Sequence, residues 1–366
     1  MRRREFTTGL TALTLLTACS NANTLVIGVA APMSGPQAVQ GEYIKDAVQL
    51  AVDEINKKGG IGGKTIEVSV EDDQARPQDA TQVARKLASD ERVLGVIGHF
   101  NSGCSIPASS IYNQSKLAML TPGSTSITLT EQGYKNIFRL VGRDDQQAAI
   151  DSQFALKKLK SKVIAILHDN TPYGKGLASS FQEGVTQGGS KVVIFEAITT
   201  GDKDFRAVLT KIKNLNPDTI FFGGVFVEGG LVASQARELG INARFVSGDG
   251  SKENSFIEIV GKASSDIYIS GPAQVDNKAF VDAYKAAYGK DPGPFSPYAY
   301  DAARVLLDAI AKSETPTRET VLEALHKVKD FAGLAGGITF DEKGDVVKAP
   351  FDIFMIKDGQ FVPYKA

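Results

Sequence analysis

Short runs of β-branched residues alternate with helical patterns along almost the whole chain, and this alternation constrains the fold more than any other feature. In the first part of the chain, strand-like runs at 25–31, 65–70 and 93–99 precede helical patterns at 37–58, 78–89 and 107–115. Strands that alternate with helices of this length are typical of βαβ units, in which the strands lie parallel. The sequence therefore predicts an α/β fold built on parallel sheets.

The alternation restarts after Arg139, which predicts a second sheet. Helical patterns at 145–159, 173–187 and 205–215 alternate with the runs "KVIAIL", "KVVIFEAI" and "TIFFGGV". A length of 366 residues is typical of about two domains. Near the end, helices at 278–288 and 298–312 follow one another closely, and "GGITF" and "PFDIFMI" are predicted to return to the existing sheets. The chain is therefore expected to cross between the domains more than once.

The first residues have the pattern of an export signal. A positive segment, Arg2 to Arg4, precedes a short apolar run from Leu10 to Ala18, and "LTAC" closes it at Cys19. This ending resembles a bacterial lipobox, which implies a signal peptide at 1–18, lipidation of Cys19 and a polar tether at 19–24. "RREF" also resembles a twin-arginine signal, so the export route stays open.

Charge and cysteine content exclude several classes of function. Lysine and arginine total 41 against 42 acidic residues, so the chain lacks the basic excess of a nucleic-acid-binding protein. Once Cys19 is assigned to an anchor, only Cys104 remains, and one thiol cannot form an intrachain disulfide. The three histidines are far apart in sequence. We therefore expect no metal and no cofactor.

The stretch "GHFNSGCSIPASS", residues 98–110, places hydroxyl groups and a thiol at the carboxyl end of a predicted strand, before a helix predicted to begin at Pro107. A nucleophile at Ser102 or Cys104 would need a base and an orienting group, and only His99 is near in sequence. A strand-to-helix turn with free N–H groups is better suited to holding a carboxylate. Binding is thus favoured over catalysis.

Two other motifs leave alternatives open. Tyr173 follows Pro172 after a strand, where it either caps a helix or faces a ligand. Asp249 lies between two glycines after the strand "RFVSG", where it is either a turn residue or a carboxylate aimed into a cleft. The glycine-rich "KGGIGGKT" begins with Lys58 in place of glycine and joins a helix to a strand, unlike a phosphate-binding loop.

Five stretches together carry a resemblance to a known family: "IGVAAPMSGPQAVQGEYIKDAVQLAVDEINKKGGIGG", "VLGVIGHFNSGCSIPAS", "MLTPGSTSITLT", "ILHDNTPYGKGLA" and "FDEKGD". In consistent order from about Leu25 to the C-terminus, the chain resembles the leucine/isoleucine/valine-type periplasmic binding proteins of ABC importers. The resemblance implies a type I periplasmic-binding-protein fold with two lobes, each a largely parallel sheet flanked by helices, joined by a three-strand hinge. The lobes would comprise 25–143 with 273–340, and 144–272 with 341–366.

The same resemblance implies a site, a ligand and a partner. Ser102 and Thr125 would hold the carboxylate of an amino acid, Asp249 and the carbonyl of Gly123 would hold its ammonium, and Tyr173 would close over it. Phe100 is expected to line the same site. The closed protein would deliver its ligand to a membrane permease and would have no catalytic activity.

Departures from the family pattern concern selectivity. Val225 replaces a tyrosine, Gln40 replaces an aromatic residue, and the positions of a family cysteine pair are Ala75 and Asn101. A small amide or urea-like ligand is therefore an alternative to a branched-chain or other neutral amino acid. A hydrolase using Ser102 or Cys104 and a ligand-sensing regulator are alternatives of other classes. A regulator of the lactose-repressor kind would need an N-terminal helix-turn-helix segment, whereas the N-terminal pattern here is that of an export signal.

Overall fold

The computed structural model describes residues 23–365, so the signal segment and Cys19 lie outside the described residues. In chain order the strands are β1 Thr24–Ala31, β2 Thr65–Asp72, β3 Val93–Gly98, β4 Ala118–Thr121, β5 Ile137–Arg139, β6 Val163–His168, β7 Lys191–Ala197, β8 Thr219–Gly223, β9 Arg244–Ser247, β10 Ile267–Pro272, β11 Phe331–Gly333, β12 Gly336–Ile338, β13 Phe351–Lys357 and β14 Gln360–Pro363.

The helices follow the predicted alternation. They are α1 Ala38–Lys57, α2 Pro77–Ser89, α3 Ser102–Gln114, α4 Ile127–Glu131, α5 Asp144–Phe154, α6 Pro172–Gln187, α7 Arg206–Leu215, α8 Phe226–Glu238, α9 Asn254–Val260, α10 Lys278–Tyr288, α11 Ser296–Ala311 and α12 Arg318–His326. A π-helical turn at Ala155–Leu159 continues α5, and a 3-10 turn at Asp249–Ser251 follows β9. Within residues 23–365, no helix combines the length and apolarity that a membrane span requires.

Two sheets form the frame of the molecule. The first has the strand order β2-β1-β3-β4-β5, with every pair parallel, and the second has the order β14-β13-β10-β9-β8-β6-β7, with β13 and β14 antiparallel to their neighbours. Helices cover both faces of a parallel sheet, which explains why β3 and β8 are buried along their whole length and why their sequences are almost continuously apolar. The predicted pair of largely parallel sheets is confirmed.

The chain passes between the sheets three times. It leaves β5 for α5, returns after β10 to place α11 in the core beneath β1 and β3, and leaves again before β13. Asp345 still bridges Arg139 of β5, whereas Phe351 already pairs with Pro272 of β10. We therefore propose that the third crossing lies at 347–350, a few residues after the boundary at 340/341 that the sequence suggests.

Two local predictions are wrong. Helix α3 begins at Ser102, one and a half turns before Pro107, because the Asn101 carbonyl accepts the N–H groups of Cys104 and Ser105 and starts the helix there. Proline is common at a first helical position, but here it lies inside the helix and leaves the Gly103 carbonyl without its intrahelical donor.

"GGITF" does not join either sheet, since β12 pairs with β11 in a separate hairpin that Leu334 anchors through its N–H to Asp301 Oδ2 (2.6 Å).

Candidate functional site

A cavity of about 120 Å³ lies between the two sheets, where carboxyl ends of strands meet the starts of helices. This is the edge at which open α/β sheets bind their ligands. Its walls are formed by Gln37, Ala75, Pro77, Phe100, Asn101, Ser102, Gly103, Gly123 and Phe295 from the first lobe and by Asp169, Thr171, Pro172, Tyr173, Thr200, Val225, Asp249 and Gly250 from the second. Six of the eight residues predicted for the site, namely Phe100, Ser102, Gly123, Tyr173, Val225 and Asp249, line it.

The amino end of α3 forms the centre of the first wall. Ser102 is the first residue of this helix and lines the cavity with Gly103. The first N–H groups of an α-helix have no partner within the helix, and the helix dipole favours an anion beside them. The Ser102 Oγ accepts the N–H of Ser126 (3.2 Å), which leaves the hydroxyl proton available as a further donor. This wall is suited to a carboxylate.

A buried hydrogen-bond network holds this wall in place. The His99 carbonyl, just before the helix, accepts the hydroxyl groups of Ser105 (3.2 Å), Thr121 (2.8 Å) and Ser124 (3.1 Å). The His99 ring lies between Asp73 Oδ2 (2.6 Å from Nδ1) and the Tyr112 hydroxyl (3.2 Å from Nε2). Because Asp73 precedes the cavity residues Ala75 and Pro77, the pair joins two neighbouring segments of the wall.

Two glycines allow the chain to adopt this shape. Gly98 ends β3 with φ at +137°, and a side chain there would collide with the Ala30 carbonyl. Gly123 lies directly against the Phe100 ring, so a side chain at position 123 would displace the ring from the cavity wall. The carbonyl of Gly123 can therefore be presented beside Phe100.

The second wall is organised around Asp249. Its Oδ1 accepts the Tyr173 hydroxyl (2.7 Å), which in turn accepts the N–H of Gly250 (2.8 Å). In the amide orientation that satisfies its neighbours, Gln147 also donates to Asp249 Oδ1 (3.1 Å). Burial raises the pKa of Asp249 to about 6, and the hydrogen bonds from Tyr173 and Gln147 partly oppose that rise. A ligand cation would stabilise the ionised carboxylate.

Sequence reasoning missed a second carboxylate on this wall. Asp169 accepts the N–H (3.0 Å) and the hydroxyl (2.7 Å) of Thr171 through Oδ1, and Thr171 itself caps α6 by accepting the N–H of Gly174. Burial raises the pKa of Asp169 to about 6. The motif "DNT" before a proline indicates this capping turn, but nothing in it indicates that Asp169 reaches the cavity. Tyr173 faces the cavity and leaves the capping role to Thr171.

Thr125 and Gln40, the other two predicted residues, do not line the cavity. Thr125 is buried near Asp144, and its hydroxyl has no hydrogen bond of good geometry among residues 23–365. Gln40 donates its amide N–H to Glu253 Oε2 (2.6 Å) in the second lobe. The amide that was expected to face a ligand therefore faces the opposite lobe, because the first turn of α1 lies against that lobe instead of over the cavity.

Buried acids behind Tyr173 were also missed. Burial, together with the nearby Asp249 carboxylate, raises the pKa of Asp144 to about 8. Burial likewise raises the pKa of Asp151, although its carboxylate accepts the Ser270 hydroxyl (3.0 Å). Both residues lie in α5, whose sequence has the polar composition of an exposed helix. The sequence therefore does not indicate that the two carboxylates are buried.

Among residues 23–365, the groups named in the nucleophile alternative do not form a catalytic arrangement. Cys104 is fully buried, and burial raises the pKa of its thiol far above the ordinary value. His99, the nearest base in sequence, is engaged through both ring nitrogens. Within the described residues, no three acidic, histidine or cysteine side chains lie close enough together to hold a metal ion.

Comparisons with known proteins agree with this architecture. A sequence model of the family described as "Periplasmic binding protein" matches residues 24–360. The "Leu/Ile/Val-binding protein homolog 1" of Brucella abortus is 36% identical over 324 residues, which is 88% of this chain and 87% of that protein. The "leucine-, isoleucine-, valine-, threonine-, and alanine-binding protein" of Pseudomonas aeruginosa is 36% identical over 337 residues, 91% of this chain and 90% of that protein.

Solved structures give the same result. The leucine-binding protein LivK of Thermotoga maritima superimposes with a TM-score of 0.87 at 31% identity, over 93% of this chain and 98% of that chain. The Streptococcus pneumoniae protein LivJ, a branched-chain amino acid transporter substrate-binding protein in complex with isoleucine, gives a TM-score of 0.85 at 31% identity, over 93% and 100%. These are solute-binding proteins and not enzymes. The matched length, the two lobes and the cavity between them together mean that this chain belongs to the periplasmic binding protein family.

Proposed function

We propose that this protein is the substrate-binding component of an ABC importer and that it binds a branched-chain or other neutral amino acid between its lobes. One observation carries the proposal. The same cavity has the amino end of α3 with the Ser102 hydroxyl on one wall and the Asp249 carboxylate on the other. A zwitterion needs donors at one end and a carboxylate at the other. The names and bound ligands of the relatives support the same class of ligand.

Each site residue has a role in this proposal. Ser102 and the amino end of α3 bind the ligand carboxylate, with Thr125 expected to assist from behind the wall. Asp249 and the Gly123 carbonyl bind the ammonium, Tyr173 orients Asp249 and closes the second wall, and the ligand side chain lies against Phe100 and Val225. The alternative of an amide or urea-like ligand loses one of its two motives, since Gln40 does not line the cavity. The other motive, Val225 in place of a tyrosine that would bind the ammonium, remains.

The three segments that connect the lobes are proposed to act as the hinge. They are 140–143, 273–277 and 347–350. The Arg143 guanidinium supports this role, because it pairs with Asp345 Oδ2 (3.1 Å) and so joins the first segment to the chain just before the third. Closing of the lobes about these segments would present the loaded protein to the permease.

A thermal-shift screen tests the proposed ligand class. The screen would contain the common amino acids, urea and short amides. A ligand that binds only the folded protein, at a hundredfold excess over its Kd, stabilises it by about 2.7 kcal/mol. We expect stabilisation by leucine, isoleucine, valine or smaller neutral amino acids. Stabilisation by amides alone would contradict the proposal.

Family membership supports a periplasmic or extracellular location, and we propose that a lipid on Cys19 anchors the protein to the membrane. The motive is the "LTAC" pattern, which lies outside the described residues. Several acyl chains hold a protein stably at a membrane, whereas one chain holds it only marginally. Cys19→Ala should abolish lipid labelling and release the protein into the soluble envelope fraction or leave it uncleaved. A wild-type protein that carries no lipid and extracts without detergent would contradict the anchor.

A further inference from the structure

A buried side-chain hydrogen bond joins the two lobes outside the ligand cavity. The amide Nε2 of Gln40, in α1 of the first lobe, donates to Glu253 Oε2 of the second lobe at 2.6 Å. The two residues are 213 positions apart in sequence, and their exposed fractions are only 2% and 3%. Neither residue lines the cavity. The contact therefore depends on how the lobes approach each other and not on what lies between them.

The surroundings of this bond show that it belongs to a packed contact. Val39, beside Gln40, packs against the apolar core of the second lobe. The other oxygen of Glu253 accepts the N–H of Asn254 (3.0 Å) at the start of α9, which fixes the direction of the carboxylate. When the lobes separate, both side chains return to water and the bond is lost. The bond can exist only in the closed form.

We propose that Gln40 and Glu253 form a latch that stabilises the closed form without touching the ligand, and so changes the affinity for every ligand by one common factor. The proposal rests on the proposed function, because it assumes that ligands bind the closed form. When only a fraction of the protein is competent to bind, the apparent Kd is the intrinsic Kd divided by that fraction. A contact that alters this fraction leaves the ratio between two ligands unchanged.

The test compares Gln40→Met with Glu253→Gln by calorimetric titration of the two tightest amino acids from the screen. Methionine keeps the length of the side chain but cannot donate, so Glu253 loses its partner across the lobes. We expect both affinities to fall by the same factor, roughly 10- to 100-fold, which is typical of a lost hydrogen bond to a charged group. Glu253→Gln keeps one acceptor oxygen for Gln40 but loses the charge and the oxygen that accepts the Asn254 N–H, so we expect a smaller loss of affinity than in Gln40→Met.

A double variant separates the latch from simple structural damage. Once Gln40→Met has broken the bond, adding Glu253→Met should cost little more, because the two side chains act as a pair. Additive losses would overturn the proposal, as would unchanged affinities in Gln40→Met or a changed ratio between the two amino acids. Thermal unfolding of the ligand-free variants checks that they fold. If Gln40→Met does not fold, Glu253→Met alone breaks the same hydrogen bond by removing its acceptor and replaces it in the test. Failure of the proposed function is distinguishable, because it appears in the wild type as an absence of amino-acid binding.

Discussion

The two walls of the cleft differ in charge. Of the described residues, none that the first lobe contributes to the cavity is ionisable, and their polar groups are hydroxyl, amide and backbone groups. The second lobe contributes two carboxylates, Asp169 and Asp249, and the phenol of Tyr173. Recognition is thus divided: the first lobe offers neutral donors to an anion, and the second offers negative charge to a cation. In the proposed function the Gly123 carbonyl of the first wall also accepts from the ammonium, but only the second wall provides a counter-charge.

This difference also affects closure of the empty protein. The first wall carries no charge, whereas the second carries Asp249, whose pKa burial raises to about 6, so the ionised carboxylate is costly in the empty cleft. An ammonium between the lobes offsets this cost by pairing with the carboxylate. The second lobe is therefore expected to make closure depend on ligand charge, and the first to make it depend on ligand geometry.

Removing the charge from the second wall should have the largest effect. Asp249→Asn keeps the shape of the side chain but leaves the ligand ammonium buried without a counter-charge. Breaking a buried charge pair costs about 3 to 5 kcal/mol, so we expect leucine and alanine to bind more than 100-fold more weakly. Calorimetric titration of both amino acids against wild type and variant measures the loss.

Two controls make this result specific. A simple amide carries no ammonium, so any binding of it should change much less in Asp249→Asn. Asp202→Asn removes an exposed carboxylate from the same lobe and should leave every affinity unchanged. Equal amino-acid affinity in wild type and Asp249→Asn would remove Asp249 from the site.

The first wall should be less sensitive to a single change, because its donors are several and neutral. Ser102→Ala removes one hydroxyl but keeps the backbone N–H groups of α3. A hydrogen bond to a charged group is worth about 1.5 to 3 kcal/mol, so we expect the Kd for leucine to rise roughly 10- to 100-fold. Ser110→Ala, in the same helix, removes a hydroxyl whose one hydrogen bond among residues 23–365 is to the Pro107 carbonyl, and it serves as the control. Unchanged affinity in Ser102→Ala would place the carboxylate elsewhere.

The charge difference also predicts a pH dependence that belongs to the second wall. Because the pKa of Asp249 is raised to about 6, a ligand ammonium that binds below that pH must first displace a proton. Affinity for leucine should therefore fall as the pH drops below about 6, by up to about tenfold per pH unit. Titration in two buffers of different ionisation enthalpy should reveal release of the Asp249 proton at about pH 5, and this contribution should be gone at about pH 8.

Asp249→Asn should abolish most of this dependence. A dependence that persists in the variant near pH 6 would point to Asp169, whose pKa is also raised to about 6, whereas one near pH 8 would point to Asp144. An affinity that stays constant between about pH 5 and 8 in the wild type would contradict ionised Asp249 as the ammonium partner.

The sequence predicted the frame of the molecule better than the fine structure of the cleft. Hydrophobic alternation and helix periodicity are local, so the order of strands and helices and the position of Ser102 at a strand end followed directly. The residues that the two lobes bring together could not be predicted in this way, because Asp169 and Phe295 reach the cavity only through the arrangement of distant elements. Gln40 was misplaced for the same reason, since its partner Glu253 lies 213 residues away. The helix start at Ser102 departs from the prediction because proline, which is common at a first helical position, here lies inside the helix.

The smallest predicted effect concerns Val225, which gives the second wall an apolar surface beside its carboxylates. Val225 is the N-cap residue of α8, is buried and lines the cavity, so a long aliphatic ligand side chain should contact it while that of alanine should not. Val225→Ala removes two carbon atoms; the contact of one of them with the ligand is worth roughly 0.8 kcal/mol, so leucine binding should weaken about fourfold. Competition between leucine and alanine, measured on wild type and variant together, detects such a change. A loss shared equally by alanine would show that Val225 acts on the shape of α8, and the second wall would then recognise charge alone.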